Sequence, residues 1–206
     1  MIRHALLGLI AGLAVLATAS VAAPTRFQID AQYQGGITVD LGHIGDTSLD
    51  FQPQRDGNIR VTGTGRVVHP REKDKVLEFA LDMAFRVEGN YVRTAWSRNT
   101  SNANGQKLLE KVERILPLVH VSSTLTPQGG ERHFYTKSGV LGARTESAGD
   151  TLQTIIEDGP RVLVTFYLRR APDGQLELES FKVPTKDGVM LTFTAGQPLA
   201  FASLRF

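Results

Sequence analysis

Cysteine is absent from the 206-residue sequence. The absence excludes disulfide bonds, thiolate metal sites, a cysteine nucleophile and the lipidated cysteine of a bacterial lipoprotein. An excess of one charge is also missing, since 23 Lys and Arg stand against 21 Asp and Glu. This balance argues against nucleic acid as a partner and against a polybasic membrane patch. Without covalent cross-links, the fold must be stabilised by burying apolar side chains.

Motifs for catalysis and metal binding are missing as well. The five histidines are too far apart for the His-x-His or His-x-x-x-His spacing that binds metals. Lys137-Ser138-Gly139 is similar to a strand motif of serine acyl transferases, but the Ser-x-x-Lys sequence that such enzymes need is absent. Carboxylates such as Glu78 and Asp82 lie on polar strand faces, where they typically keep a sheet soluble. We therefore expect no enzymatic activity, no metal and no cofactor.

Long hydrophobic runs are scarce, and the longest lies at the N-terminus. Ala5–Val21 is apolar or small throughout, follows a positive start at Arg3 and leads to small residues ending at Ala23. This pattern predicts a secretory signal peptide over residues 1–23 that is cleaved after Ala23. A retained anchor is the alternative, because the run is just long enough to span a membrane. Cleavage would leave residues 24–206 as a single β-rich domain in the periplasm, no longer an integral membrane protein.

The most regular pattern in the chain is a long hairpin. Every second residue of Val76–Glu88 is apolar, which is typical of a strand with one buried face. Gly89 begins a tight turn, because glycine adopts positive φ without steric cost. In the returning strand, Val92, Thr94 and Trp96 are expected on one face. We place this hairpin in the middle of the sheet.

Alternation with the same period predicts strands along most of the remaining chain. The predicted strands cover 27–34, 37–41, 49–51, 59–68, 118–126, 131–137, 162–169, 175–183, 189–193 and 199–206. Gly63 and Gly65 fall on one face of the fourth of these and indicate strong curvature or a close approach of another backbone. The segment 139–149 has no regular period. Thr and Ile favour a strand over a short helix at 151–157.

One segment has the period of a helix, residues 104–116. Its apolar side chains share one face, Asn104 suits the N-cap position, and Pro117 is expected to end the helix. The predicted fold class is therefore mainly β (α+β). We expect a strongly curved antiparallel sheet or half-barrel of about ten to twelve strands, with one covering helix.

An exported, cysteine-free, strongly bent antiparallel sheet with one covering helix resembles the half-barrel architecture of periplasmic lipoprotein-carrier (Lol-type) proteins and related half-barrel families of unknown function. The resemblance concerns layout over most of the mature chain, and no family motif matches. It implies an apolar groove between sheet and helix that holds acyl chains or a lipid-modified partner by burial, without chemistry. The residues expected to line this groove are Leu81, Met83, Phe85, Trp96, Leu109 and Val112.

Three other functions are open at this point. A cell-envelope scaffold or assembly factor would bind a protein partner through an exposed strand edge. A small outer-membrane barrel is suggested by the C-terminal Phe206, although four Tyr and one Trp are too few for two aromatic girdles. An enzyme acting on envelope glycans would need two carboxylates that converge in a cleft.

Overall fold

The computed structural model describes residues 23–124 and 130–200, which form twelve β-strands and one α-helix. In chain order these are β1 (Thr25–Gln34), β2 (Thr38–Pro53), β3 (Ile59–Val68), β4 (Val76–Glu88), β5 (Tyr91–Ser97), β6 (Thr100–Ser101), α1 (Gln106–Thr124), β7 (Gly130–Thr136), β8 (Gly139–Ala148), β9 (Thr151–Asp158), β10 (Arg161–Arg170), β11 (Leu176–Pro184) and β12 (Val189–Ala200). The predicted signal peptide up to Ala22 lies outside the described residues, as does the 201–206 portion of the predicted last strand.

Eleven of the described strands close into a barrel. Their order is β3-β2-β1-β12-β11-β10-β9-β8-β7-β5-β4, and β4 pairs back with β3. The short β6 pairs with β4 beside this ring. Each described pairing is antiparallel except that of β5 with β7. The predicted fold class, a strongly curved and largely antiparallel sheet with one helix, is confirmed, and the curvature is strong enough to close the sheet.

The contact between β5 and β7 is the weakest joint of the ring. In the described ladder it consists of one register pair, Tyr91 with Tyr135. The rings of these two tyrosines stack with centroids 5.2 Å apart. The Tyr135 amide donates a hydrogen bond to the Asn90 carbonyl at 2.8 Å. We call these three residues the β5–β7 seam.

Glycine permits the tight curvature on the β2–β3 side of the barrel. A Cβ atom at Gly63 would lie 2.2 Å from the Ser48 carbonyl oxygen, and one at Gly65 would lie 2.2 Å from the Phe79 ring. Both distances are far below van der Waals contact, so larger residues are excluded from these positions. The close approach of another backbone inferred from the sequence is confirmed at Gly63, whereas the neighbour at Gly65 is a side-chain ring.

Two predicted segments differ from the structure for reasons of local geometry. The separate strands expected at 37–41 and 49–51 are one strand, β2. Its pairing with β1 contains two β-bulges, which bend the strand without interrupting it. The segment 139–149, expected to be irregular, forms β8, because it pairs along its length with β7 and β9. The strand favoured at 151–157 is confirmed as β9.

Helix α1 lies inside the curved sheet. Its principal packing partner is β4, and it also contacts β10. The buried side chains of α1 belong to the same hydrophobic cluster as the inward-facing residues of the strands. Those helical side chains are Leu108, Leu109, Val112, Ile115, Leu116, Leu118, Val119 and Val121. The helix therefore fills the interior of the barrel.

The prediction that Pro117 ends the helix is wrong, because α1 continues through Pro117 to Thr124. Proline inside a helix costs about 3 kcal/mol through its missing N–H and a steric clash. The turns that follow bury Leu118, Val119 and Val121 almost completely. Each such burial is worth roughly 1.5–3 kcal/mol, so their sum exceeds the penalty. The strand predicted from 118 onward is thus helix as far as Thr124, and residues 125–126 lie outside the described chain.

The start of α1 is fixed by Asn102 rather than by the predicted Asn104. The Asn102 side-chain oxygen accepts a hydrogen bond from the Gly105 amide at 2.8 Å, and the Gly105 carbonyl accepts the first helical hydrogen bond, from Leu109, at 2.9 Å. Asn102 also donates from its side-chain amide to the Val76 carbonyl at 2.9 Å. One asparagine therefore caps the helix and attaches it to the beginning of β4.

Candidate functional site

Five of the six residues expected to line a groove lie together in the core. Leu81, Met83 and Phe85 occupy the inward face of β4, and Leu109 and Val112 lie on α1. Each exposes 9% or less of its surface, and all belong to one hydrophobic cluster. In this structure they are packed between sheet and helix.

Trp96 is separate from these five residues, on the outer face of the barrel. It pairs in register with Ala84, and the guanidinium groups of Arg60 and Arg98 lie 5.8 and 5.5 Å from the centre of its ring. A β-bulge explains the difference, because Phe85 pairs with Thr94 but Ala84 pairs with Trp96. One extra residue reverses the face of each residue that follows it. Trp96 is 37% exposed as a result.

A small, partly open cavity remains between α1 and the inner wall. It is lined chiefly by apolar side chains, including Leu49, Phe79, Ile115, Phe181 and Phe193, and its volume is about 20 Å³. That volume is close to the minimum that holds one water molecule, and an engineered apolar cavity that accepts benzene is about 150 Å³. An acyl chain therefore enters this space only when α1 moves.

Two open clefts lie where the N-terminal half of α1 meets the mouth of the barrel. The larger, of about 820 Å³, extends from α1 towards the β3–β4 loop and the β11–β12 turn. The smaller, of about 400 Å³, lies between α1, β10 and β11. The clefts share Lys107, Glu110, Lys111 and Lys186. They form one continuous surface around the exposed side of the helix.

The smaller cleft has an apolar floor and a basic rim. Five cationic side chains and a single carboxylate, that of Glu110, line it. The cations are Lys107, Lys111, Arg114, Arg161 and Lys186, which we call the basic mouth. The apolar floor consists of Ile115, Leu118, Val162, Leu163, Val183 and Pro184. This combination suits a molecule that has a negative group and an apolar portion.

Lys111 is the most confined cation of the basic mouth, because it lines both clefts and also the small cavity. Burial lowers the pKa of Lys111; the carboxylate of Asp187 opposes this shift, and the charges of Arg161 and Lys186 add to it. Its ammonium group therefore lies at the boundary between the apolar core and the solvent, with other cations nearby. A bound anion would relieve both the desolvation and the repulsion.

Asp187, at the β11–β12 turn, is the carboxylate of the larger cleft whose charge acts on Lys111. A hydrogen bond from the Thr185 hydroxyl lowers the pKa of Asp187; burial opposes the shift, and the charges of Arg71 and Lys111 contribute to it. The Arg71 guanidinium also donates to the Asp187 carbonyl at 2.7 Å. These contacts keep Asp187 ionised and fix the turn that carries Lys186.

Side-chain hydrogen bonds hold α1 against the end of β5 and the residues that follow it. The Glu113 carboxylate accepts hydrogen bonds from the Asn99 side-chain amide at 2.6 Å and from the Ser97 hydroxyl at 3.1 Å. Asn99 in turn accepts from the Asp82 amide of β4 at 2.7 Å. The helix is therefore held by a specific hydrogen-bonded contact in addition to its apolar packing.

The basic mouth was not predicted from the sequence because its members come from three separate segments. Lys107, Lys111 and Arg114 lie on α1, while Arg161 begins β10 and Lys186 lies in the β11–β12 turn. One signal was available, since the three helical cations have the i, i+4, i+7 spacing of a single helix face. The other two were single charges in turns, and their convergence depends on the barrel topology.

No family description matches the sequence, and no curated protein matches it. Among solved structures, the chain is similar to a crystal structure described as "Beta-barrel-like Protein of Domain of Unknown Function DUF1849 from Brucella abortus". The identity is 8%, the match covers 86% of this chain and 98% of that chain, and the TM-score is 0.37. A match at this level carries no argument about ligand or activity.

Two kinds of feature are missing from the described residues. In residues 23–124 and 130–200, no group of three or more His, Asp or Glu side chains is arranged to hold a metal ion. In the same ranges, no helix combines the length and the apolar character needed to cross a membrane.

Proposed function

We propose that this chain is a binding or carrier protein that holds an apolar, lipid-like or acyl ligand between its curved sheet and α1, without catalysis. The observation that carries the proposal is the apolar interior of the barrel, which is filled by one helix. An acyl chain that replaced part of the helix surface would meet the same apolar wall, so the exchange would keep apolar surface out of water. Leu81, Met83, Phe85, Leu109 and Val112 would line the opened space.

The barrel wall supports this proposal because it has one weak joint. The β5–β7 seam contains one register pair in the described ladder, whereas neighbouring strands such as β1 and β12 pair over seven residues. Opening a wall at such a joint disrupts fewer hydrogen bonds than opening it elsewhere. Movement of α1 and opening of the seam would together admit a chain.

The proposed location is the periplasm, which the chain would reach through cleavage of the predicted signal peptide, residues 1–23. A water-filled compartment between two membranes is where a lipid-like molecule needs a protein that shields its apolar surface. In this setting the protein would exchange its ligand with a membrane or with a lipid-modified protein partner.

Native mass spectrometry of the mature protein, released from the periplasm without detergent, tests this function. We expect added mass that fragments to an acyl chain or another lipid. The same protein, stripped of ligand and mixed with total lipid extract, should regain that mass. A clean mass in both experiments would contradict the carrier function, and failure to find the protein in the periplasmic fraction would contradict the location.

A second candidate function, an envelope scaffold that binds a protein partner, is favoured by the surface around the β5–β7 seam. Tyr91, Tyr135 and Val140 are about half exposed there, and Tyr135 pairs in register with Val140. Exposed apolar side chains beside incompletely paired strands are typical of sites that add a strand from a partner. Co-purification of one protein, lost in Tyr135→Ser but retained in Ile37→Ser at another exposed apolar position, would favour this candidate.

A further inference from the structure

The smaller cleft has apolar side chains on its floor and cationic side chains on its rim. Its floor is apolar and continuous with the core, because Ile115 and Val183 line both this cleft and the small cavity. Its rim carries the cations from α1, β10 and the β11–β12 turn. A ligand that lies across the cleft would therefore meet positive charge at the surface and apolar side chains farther in.

The cations outnumber the carboxylates that could neutralise them. Arg114 is paired, since its guanidinium lies 3.6 Å from the Asp158 carboxylate. Lys107, Lys111, Arg161 and Lys186 take part in no ion pair within 4.0 Å in the part of the chain that the structure describes. The chain as a whole is nearly neutral, with a formal net charge of +2. The positive character of the cleft is thus local and is not a consequence of overall composition.

Lys111 lies where apolar side chains and other cations surround its amine. Burial lowers the pKa of Lys111, the carboxylate of Asp187 opposes this shift, and the positive charges of Arg161 and Lys186 add to it. Groups of like charge held together beside apolar side chains stabilise an anion more strongly than dispersed surface lysines do. The cleft is therefore organised for a negative group at its rim.

We infer that the ligand is an anionic amphiphile, whose carboxylate or phosphate head binds Lys111, Arg161 and Lys186 and whose apolar chain follows the floor of the cleft towards the core. This inference rests on the proposed function and specifies the chemistry of its ligand. Arginine can bind the head through two parallel hydrogen bonds, and the lysines supply point charges around it. A neutral lipid of the same chain length would lose these contacts and retain only the apolar ones.

Binding measurements on the ligand-free mature protein test the inference. The probes are oleate, oleyl alcohol, dodecyl phosphate and inorganic phosphate, each kept below micelle-forming concentrations. We expect oleate to bind at least about tenfold more tightly than oleyl alcohol, because only the carboxylate forms hydrogen-bonded ion pairs with the cations. Its affinity should fall as salt is raised, since part of the attraction is between partly exposed charges. Dodecyl phosphate should behave like oleate.

The test variant is Arg161→Gln combined with Lys186→Gln, and Lys137→Gln is its control. The two test residues are partly or wholly exposed, and Lys137 is an exposed lysine in the β7–β8 turn that lines neither cleft. We expect the double variant to bind oleate about tenfold more weakly and oleyl alcohol as before, and the control to bind both normally. Circular dichroism that matches the wild-type protein will establish that the variants are folded.

The outcomes separate this inference from the function on which it rests. If oleyl alcohol binds as tightly as oleate and the double variant retains both, the anionic head is excluded while the carrier function stands. If inorganic phosphate alone displaces oleate at comparable concentrations, the cleft is a site for free anions and the amphiphile is excluded. If no chain-bearing probe binds, both the inference and the carrier function are contradicted.

Discussion

At the scale of single residues, the curvature of the wall depends on Gly63. We predict that Gly63→Ala lowers the free energy of unfolding by about 1–3 kcal/mol, because its new methyl group would lie 2.2 Å from the Ser48 carbonyl oxygen. Gly142→Ala is the matched control, since it also lies in a strand and the methyl group there would meet no atom of a non-neighbouring residue within 4 Å. Urea unfolding followed by circular dichroism will compare the two. Equal midpoints would show that β2 and β3 separate at no cost.

Lys111 leads to a pH-dependent prediction at the same scale. Burial lowers the pKa of Lys111 in the folded protein below the ordinary lysine pKa of the unfolded chain. At pH values between these two pKa values, the unfolded chain binds more protons than the folded protein. Stability must therefore rise as the pH increases through this window. Below the window, the charged amine opposes folding. A lysine that gains an ion pair on folding has the opposite effect, because its contribution to stability falls as the pH increases.

Replacing Lys111 by methionine should remove the destabilising effect of the charged amine. We predict that Lys111→Met raises the free energy of unfolding at about pH 7 by roughly 0.5–2 kcal/mol. The gain should shrink at about pH 11, where the wild-type amine is largely neutral in both states. Lys137→Met, at an exposed position, is the control and should change stability little at either pH. A gain that is the same at both pH values would show that apolar packing, and not charge, is responsible.

At the scale of elements, the sequence predicted strands better than it predicted the helix. The period-two pattern of β3 and β4 gave their bounds, because one face of each is buried and the other is polar. The helix was predicted to end at Pro117 because proline is a strong local signal. Its continuation depends on the burial of Leu118 and Val119 inside a closed barrel, which is a tertiary effect. The bulge that turns Trp96 outward is likewise set by pairing with β4 and leaves no mark in the alternation.

The attachment of α1 to the sheet can be tested through Glu113. We predict that Glu113→Ala lowers the free energy of unfolding by about 1–2 kcal/mol, because its carboxylate accepts hydrogen bonds from both Asn99 and Ser97. Hydrogen exchange of the α1 amides should also accelerate. Glu110→Ala, on the exposed side of the same helix, has one side-chain contact, with Gln106, and is the control. If both variants behave alike, apolar packing alone holds the helix.

At the scale of the whole molecule, the proposed carrier function would require the barrel or its helix to change conformation. The small cavity of about 20 Å³ cannot hold an acyl chain. In the proposed function, uptake would therefore expose the apolar wall transiently, and the energetic penalty would be lowest where the wall has the fewest pairings. The large apolar side chains and the curvature of the sheet were predicted from the sequence. The location of the β5–β7 seam follows from the order of strands around the ring.

A disulfide across the β5–β7 seam tests whether uptake requires the barrel to open. Tyr91 and Tyr135 are register partners, and neighbouring strands lie about 4.8 Å apart, within the range that a disulfide bridges. Because the chain has no cysteine, Tyr91→Cys combined with Tyr135→Cys introduces the only thiols. We predict that the oxidised double variant remains folded but takes up oleate at least about tenfold more slowly than the same variant after reduction.

The control for this experiment is a disulfide in a continuous part of the wall. Glu146 of β8 and Gln153 of β9 are register partners within a ladder of seven pairs, so Glu146→Cys combined with Gln153→Cys joins strands that have no reason to separate. Its oxidised and reduced forms should take up oleate at the same rate. If the seam disulfide also leaves the rate unchanged, the ligand enters through the clefts beside α1 while the barrel stays closed. If both disulfides slow uptake, the entire wall deforms and the seam has no special role.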